Sequence, residues 1–93
     1  MPGLLPARGK LWLIGGTDNS TTLGEIDKRI DLIYANKYYT NIIREFGRPD
    51  EILEGKIYVY QNMRVRHLIN DEDRSQVHFH FINGYVTLTE ALP

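Results

Sequence analysis

Three histidines, His67, His78 and His80, are the candidate metal ligands of this sequence. His78 and His80 alternate within an apolar segment. A strand rises about 3.3 Å per residue, so it places both imidazoles on one face, about 7 Å apart at their Cα atoms. His67 lies in the preceding extended segment and becomes a third ligand if the strand register brings it opposite the pair. A divalent metal ion takes three or four such ligands, so His67, His78 and His80 form a candidate metal site.

The competing interpretation is that His78 and His80 simply line the open face of a sheet beside Gln76. This interpretation is favoured because no second carboxylate motif completes a metal site. No cofactor is therefore expected. Binding of a metal or small ligand by the strand histidines is the alternative function rather than the first.

Large aromatic side chains are unusually numerous for so short a chain, which has six tyrosines and one tryptophan. Seven such rings are more than one small core comfortably encloses. Rings of this kind are enriched at the energetic centres of protein interfaces, because they bury much area at low entropic cost. The predicted interface residues are Trp12, Tyr34, Tyr38, Tyr39, Tyr58 and Tyr60. The partner is predicted to be another protein or a second copy of the chain.

Arginines near the strand tyrosines suggest a weaker alternative, a sheet that binds single-stranded nucleic acid by stacking and charge. The cationic candidates are Arg48, Arg64, Arg66 and Arg74. However, 11 Lys and Arg against 12 Asp and Glu give a net charge of −1, and phosphate binding requires a basic excess. The competing prediction is that these arginines pair with the acidic turn at residues 71–73. The charge balance therefore disfavours nucleic acid as the main partner.

No catalytic set is recognisable in the sequence. Gly15-Gly16-Thr17 lacks the lysine and the glycine spacing of a phosphate-binding loop. The acidic pair Asp50-Glu51 and the run at 71–73 lie in predicted turns, where carboxylates are solvated, whereas catalytic carboxylates need burial or close pairing. The absence of cysteine removes disulfides and thiol nucleophiles. The chain is therefore predicted not to be an enzyme.

The length of 93 residues is that of one domain. Residues 1–9, interrupted by proline and glycine, are predicted to form an irregular N-terminal arm, and residues 10–93 a single α+β domain. No secretory signal and no apolar run of membrane-spanning length is present. A cytoplasmic protein without a membrane span is therefore expected.

Two amphipathic helices are predicted in the first half of the chain. Thr22 and Glu25 match a capping box, and the helix they begin carries apolar residues at helical spacing. That stripe comprises Leu23, Ile26, Ile30, Ile33 and Tyr34. Asn36-Lys37 breaks the helix, and a second one follows with its stripe on Tyr39, Ile42, Ile43 and Phe46. Gly47 is placed as its C-cap, and Pro49 prevents continuation.

The remainder is predicted to be strands. Residues 10–14 are an apolar run best interpreted as a strand, and residues 57–60 and 63–68 alternate with a period of two, with a bend near Gln61-Asn62 as one interpretation. Residues 76–82 form the clearest strand, with Val77, Phe79 and Phe81 on the core face. Asn83-Gly84 is a strong signal for a type I′ hairpin turn into the last strand, residues 85–89.

The order of elements and the turns Phe46-Gly47-Arg48-Pro49-Asp50 and Phe81-Ile82-Asn83-Gly84-Tyr85-Val86 resemble the SmpA/OmlA (BamE-like) domain. The similarity covers roughly residues 23–88, and the fold is shared with the β-lactamase-inhibitor-protein repeats. Asn36-Lys37-Tyr38 replace the family's usual glycine-methionine-threonine, and the lipoprotein cysteine is missing. The resemblance implies a fold and, by analogy, a protein-binding role without catalysis.

The sequence thus predicts an α+β fold in which a two-helix pair packs on one face of a three- to four-stranded antiparallel sheet. The predicted function is a small non-catalytic protein-interaction module.

Overall fold

The computed structural model describes residues 8–15 and 28–93. Strands hold 53% of these residues and helices 16%. In chain order the elements are β1 (Arg8–Ile14), β2 (Lys28–Arg29), α1 (Ile30–Ile33), α2 (Tyr39–Phe46), β3 (Glu51–Leu53), β4 (Ile57–Tyr60), β5 (Met63–His67), β6 (Glu72–Arg74), β7 (Gln76–Ile82) and β8 (Tyr85–Leu92).

The strands form two sheets. The first has the order β2-β1-β5-β6, in which β2 is a two-residue edge. Here β1 runs parallel to both β2 and β5, whereas β5 and β6 are antiparallel. The second sheet, β3-β4-β7-β8, is antiparallel throughout.

One long bent hairpin connects the two sheets. In the second sheet β4 pairs with β7, and in the first sheet the continuations of both strands, β5 and β6, pair with each other. The outgoing strand bends at Gln61-Asn62, as one interpretation of the sequence predicted, and Asn62 has a positive φ of 56°. The returning strand crosses at Ser75, whose carbonyl accepts a hydrogen bond from the Met63 amide at 2.8 Å.

The predicted fold class is wrong, because the described residues are mostly strand and form two sheets, with no helix pair on one face of a single sheet among them. The predicted first helix runs through Lys28 and Arg29, yet these two residues are extended and pair with Trp12 and Leu13 of β1. Of the predicted helix, residues 28–34 are described, and they contain one helical turn, α1. The capping box of Thr22 and Glu25 lies outside the described residues. A short helix is only marginally stable by itself, and pairing with β1 satisfies the backbone groups of that sheet edge.

The second helix is confirmed. It spans Tyr39–Phe46, buries Ile42 and ends at Gly47, which has a φ of 81°. The Gly47 amide donates to the Ile43 carbonyl at 2.7 Å and closes the last turn. The predicted break at Asn36-Lys37 is also present, with Asn36 at a φ of 63°.

The strongest predicted strands and the hairpin turn are confirmed. β4 and β7 have the predicted bounds, and Val77, Phe79 and Phe81 are buried. Asn83 and Gly84 have φ values of 53° and 86°, positive at both positions as a type I′ turn requires. β8 continues to Leu92, beyond the predicted strand, and β6 lies within the predicted polar turn.

The hydrophobic core is built from both sheets and both helices. Trp12 of β1 has its ring 5.5 Å from that of Phe46 in α2, and Phe46 lies 5.6 Å from Phe79 of β7. Ile30 of α1 is completely buried in the same cluster. The two sheets therefore share one core.

The N-terminal arm is described only in part. Residues 1–7 lie outside the described residues, while Arg8 and Gly9 belong to β1. The register with β5 shifts between Arg8 and Trp12, so the start of this strand is irregular. In the described ranges, no helix has the length and apolar character that crossing a membrane requires.

Candidate functional site

Two of the three predicted histidines come together with a carboxylate on the second sheet. His78 and His80 lie two residues apart on β7, and Glu90 of β8 is the register partner of His78. His80 Nε2 and Glu90 Oε1 are 2.6 Å apart. The three side chains each offer a ligand atom, and these atoms all lie within 4.8 Å of one another. We call these three residues the His-His-Glu cluster.

His67, the third predicted ligand, does not join the cluster. It lies on β5, in the first sheet, where its ring packs against Gly15 and its Nδ1 accepts a hydrogen bond from the Asn70 amide at 3.3 Å. Its place is taken by Glu90, which the sequence interpretation missed. Of the Gly15-Gly16-Thr17 segment, only Gly15 belongs to the described residues.

A β-bulge sets the position of Glu90. Phe81 pairs with Val86 but His80 pairs with Leu88, so Thr87 is an extra residue in β8. Without the bulge, a two-residue hairpin would place Thr89, not Glu90, opposite His78. The bulge reverses the alternation of β8, so Val86 is buried whereas Leu88, two residues later, is 50% exposed. Because both residues are apolar, the sequence hid this change and carried no direct signal for the carboxylate.

Apolar residues flank the cluster. On β4, Val59 lies opposite His78 and Ile57 opposite His80, and on β8 Leu88 lies opposite His80. The His80 and Glu90 side chains are 27% and 44% exposed, respectively. The cluster is thus partly desolvated but open to solvent on one side.

Three of the six predicted interface rings belong to the core instead. Trp12, Tyr34 and Tyr60 are almost completely buried, and Tyr39 and Tyr58 are partly buried against the core. Burial raises the pKa of the Tyr34 and Tyr60 hydroxyls above the ordinary tyrosine value. Among the six, only Tyr38 counts as an exposed residue, at 40%.

The exposed Tyr38 forms an aromatic corner with Tyr39 and Tyr85. Its ring centroid lies 4.7 Å from that of Tyr39 and 5.1 Å from that of Tyr85. Gly84 lies beneath it, so close that a Cβ atom there would approach Tyr38 Cε1 to 2.7 Å. Tyr85, half exposed, was absent from the predicted interface set, although the Asn83-Gly84 turn signal fixes its position.

A groove of about 290 Å³ adjoins the aromatic corner. Its lining includes Tyr39, Tyr58, Phe81, Lys56, Asn83 and Gly84. The Tyr58 and Phe81 rings pack edge to face, 4.6 Å apart. Burial raises the pKa of the Tyr58 hydroxyl, in keeping with its apolar surroundings. We call this feature the aromatic groove.

The predicted pairing with the acidic turn is present for two of the four arginines, Arg66 and Arg74. Arg66 Nε lies 3.4 Å from Asp73 Oδ1, and an Arg74 terminal nitrogen lies 2.9 Å from Glu72 Oε2. Arg74 also donates to the Ala91 carbonyl at 2.9 Å. The acidic turn thus neutralises part of the charge of these two arginines, and Tyr60 is too buried to stack on a base.

The chain was compared with protein-family models, curated proteins and solved structures. None of the three comparisons finds a significant match. The resemblance to the SmpA/OmlA domain therefore stays a prediction.

Proposed function

We propose that this protein is a non-catalytic interaction module that binds a segment of a partner protein in the aromatic groove. The supporting observation is that the exposed aromatic corner adjoins a groove lined by aromatic side chains. Tyr38 and Tyr85 are 40% and 50% exposed. Covering such rings removes much apolar area from water while immobilising few rotatable bonds.

The groove favours an apolar side chain at its floor. Tyr39, Tyr58 and Phe81 present ring surface there, while Gly84 contributes backbone without a side chain. Recognition grooves lined by aromatic residues commonly accept proline or aliphatic residues of an extended segment. An extended segment also suits the groove because its volume is that of a few side chains rather than of a large ligand.

Lys56 adds a charge preference. It lines the groove, and no ion pair within the described residues involves it. An ammonium group at the edge of an apolar groove attracts a carboxylate, which contributes more to specificity than to affinity. The partner segment is therefore one that places an acidic residue beside an apolar one.

Selection from a random peptide library displayed on phage tests this function. We expect enriched peptides to combine proline or aliphatic residues with an acidic residue and to bind the purified protein with micromolar affinity by calorimetry. Tyr38→Ala should weaken this binding about tenfold or more, since truncating a ring at an interface hot spot costs about 2 kcal/mol or more and a tenfold change is about 1.4 kcal/mol. Lys56→Gln should reduce the preference for acidic peptides.

The matched control is Ile69→Ala, which removes another exposed apolar side chain, 71% exposed, in the turn after β5. Peptide binding should be unchanged in this variant. Failure to enrich any peptide, or equal loss of binding in both variants, would contradict the proposal. The other possible occupant of the aromatic corner is a second copy of the chain, which sedimentation velocity tests. A wild-type dimer that becomes monomeric in Tyr38→Ala would assign the corner to self-association.

A further inference from the structure

We infer that the His-His-Glu cluster of His78, His80 and Glu90 is a binding site for a divalent transition-metal ion, with Zn²⁺ the natural occupant. This inference goes beyond the proposed interaction function. The cluster and the groove-lining rings lie on opposite faces of the second sheet, because Tyr58 and Phe81 alternate along their strands with the residues of the histidine face.

The three ligand atoms are close enough to converge on one ion. In a tetrahedral zinc site with bonds of about 2.0 to 2.1 Å, ligand atoms lie about 3.3 Å apart. His80 Nε2 and Glu90 Oε1, 2.6 Å apart, need only to separate slightly and release the proton that they share, and the full set lies within 4.8 Å. Modest rotation of the His78 side chain, which starts on the same sheet face, closes the remaining gap.

The donor set selects the class of ion. Two imidazoles with one carboxylate suit zinc, copper or nickel, whereas magnesium and calcium prefer ligands that are all oxygen. A single carboxylate leaves one positive charge on the bound divalent ion. Three protein ligands leave at least one coordination position for water, as in zinc sites that stay open.

The surroundings also suit a metal site better than a simple cross-strand pair. Ile57, Val59 and Leu88 flank the histidines and limit hydration of the ligands. His78 contributes nothing to the His80–Glu90 contact, and its Nε2 only approaches Gln76 Oε1 at 3.4 Å. A His–Glu pair on a sheet surface forms without a second imidazole, whereas a metal site needs a third ligand, which His78 provides.

Calorimetric titration of ZnCl₂ into protein treated with a chelator tests the inference. We expect one ion per chain, micromolar or tighter affinity, and a melting temperature that rises with zinc concentration, as for any ligand of the folded state. His78→Ala and Glu90→Gln should each weaken zinc binding about tenfold or more and reduce the rise in melting temperature at a given zinc concentration. NMR spectra of the ¹⁵N-labelled protein should show zinc-dependent shifts of the His78 and His80 ring nitrogens.

His67→Ala is the matched control, because it removes an imidazole that lies in the other sheet. It should bind zinc like the wild type, and its own ring should show no zinc-dependent shift in the wild-type spectrum. Absence of saturable binding, equal loss in His67→Ala, or half an ion per chain would each overturn the three-ligand site. Circular dichroism without metal verifies that every variant is folded, and Tyr38→Ala should bind zinc normally whatever becomes of the interaction function.

Discussion

A single buried hydroxyl ties the end of helix α2 to the second sheet. Tyr60 is completely buried, and its hydroxyl donates to the Gly47 carbonyl at 2.7 Å. Burial is the main cause that raises the pKa of Tyr60 above its ordinary value, and the Arg8 guanidinium, 5.1 Å from the ring centroid, opposes it. The folded state therefore keeps this hydroxyl protonated at a pH at which the unfolded chain releases its proton.

We expect the Tyr60→Phe variant to be less stable than the wild type at neutral pH but to lose less stability in alkali. Loss of the hydrogen bond costs about 1 kcal/mol at neutral pH. Above the ordinary tyrosine pKa of about 10, the unfolded chain binds fewer protons than the folded one, so the free energy of unfolding falls as pH rises. Each tyrosine with a raised pKa lowers the free energy of unfolding by up to about 1.4 kcal/mol per pH unit in this range. The variant lacks the contribution of Tyr60.

Urea unfolding at neutral pH and at several pH values from about 9 to 11 measures both effects. The control is Val59→Ala, which destabilises a buried position without removing a titratable group, so its stability curve should run parallel to that of the wild type. A Tyr60→Phe curve that also ran parallel would show that the buried hydroxyl titrates alike in both states.

The backbone of the turn between β7 and β8 supports the aromatic corner. Gly84 has a φ of 86°, and its carbonyl accepts the Tyr39 amide at 2.7 Å. Tyr38 packs directly on it. The turn therefore both closes the hairpin and seats the ring that we propose contacts the partner.

Replacing Gly84 by alanine should cost about 1 to 2 kcal/mol for the left-handed backbone and an additional amount for the contact with the Tyr38 ring. The additional amount should disappear in the Tyr38→Ala background, which gives a coupling energy of about 0.5 kcal/mol or more in a double-mutant cycle. Gly55→Ala is the control, since Gly55 has a φ of 69° but no atom lies within 4 Å of its added Cβ. Strictly additive costs for Gly84 and Tyr38 would contradict the close packing.

Elements that rest on local chemistry could be predicted from the sequence, whereas elements that rest on distant partners could not. The helix at Tyr39–Phe46 and the turn at Asn83-Gly84 follow from periodicity, capping and positive φ. Lys28–Arg29 is extended because β1 pairs with it, and Glu51–Leu53 because β4 does. Neither partner is visible in the local pattern, so the helix pair was predicted in error.

The candidate sites divide in the same way. Period-two alternation was enough to place His78 and His80 on one face, and the turn signal was enough to place Tyr85 beside the hairpin. Glu90 depends on the bulge at Thr87, which shifts the register by one residue. Burial of Trp12, Tyr34 and Tyr60 depends on packing between the two sheets, which composition alone does not determine.

At the scale of the whole molecule, the two sheets are joined both by a shared core and by a continuous hairpin. The chain of rings from Trp12 through Phe46 to Phe79 connects the first sheet to the second through α2. The bent strands cross between the sheets at Gln61-Asn62 and at Ser75. Neither sheet can lose its packing without exposing part of the other.

We therefore expect both sheets to unfold in one cooperative transition. Trp12 is the sole tryptophan of the chain, so its fluorescence reports the first sheet, while far-ultraviolet circular dichroism reports all strands. The two urea transitions should coincide, and Phe79→Leu in the second sheet should shift both together by about 1 to 2 kcal/mol, because it removes buried apolar volume from the common core. Leu32→Ala, at an exposed position on α1, should shift neither appreciably. A tryptophan transition that preceded the loss of circular dichroism, or that ignored Phe79→Leu, would show that the first sheet comes apart independently and that the two sheets do not share one core.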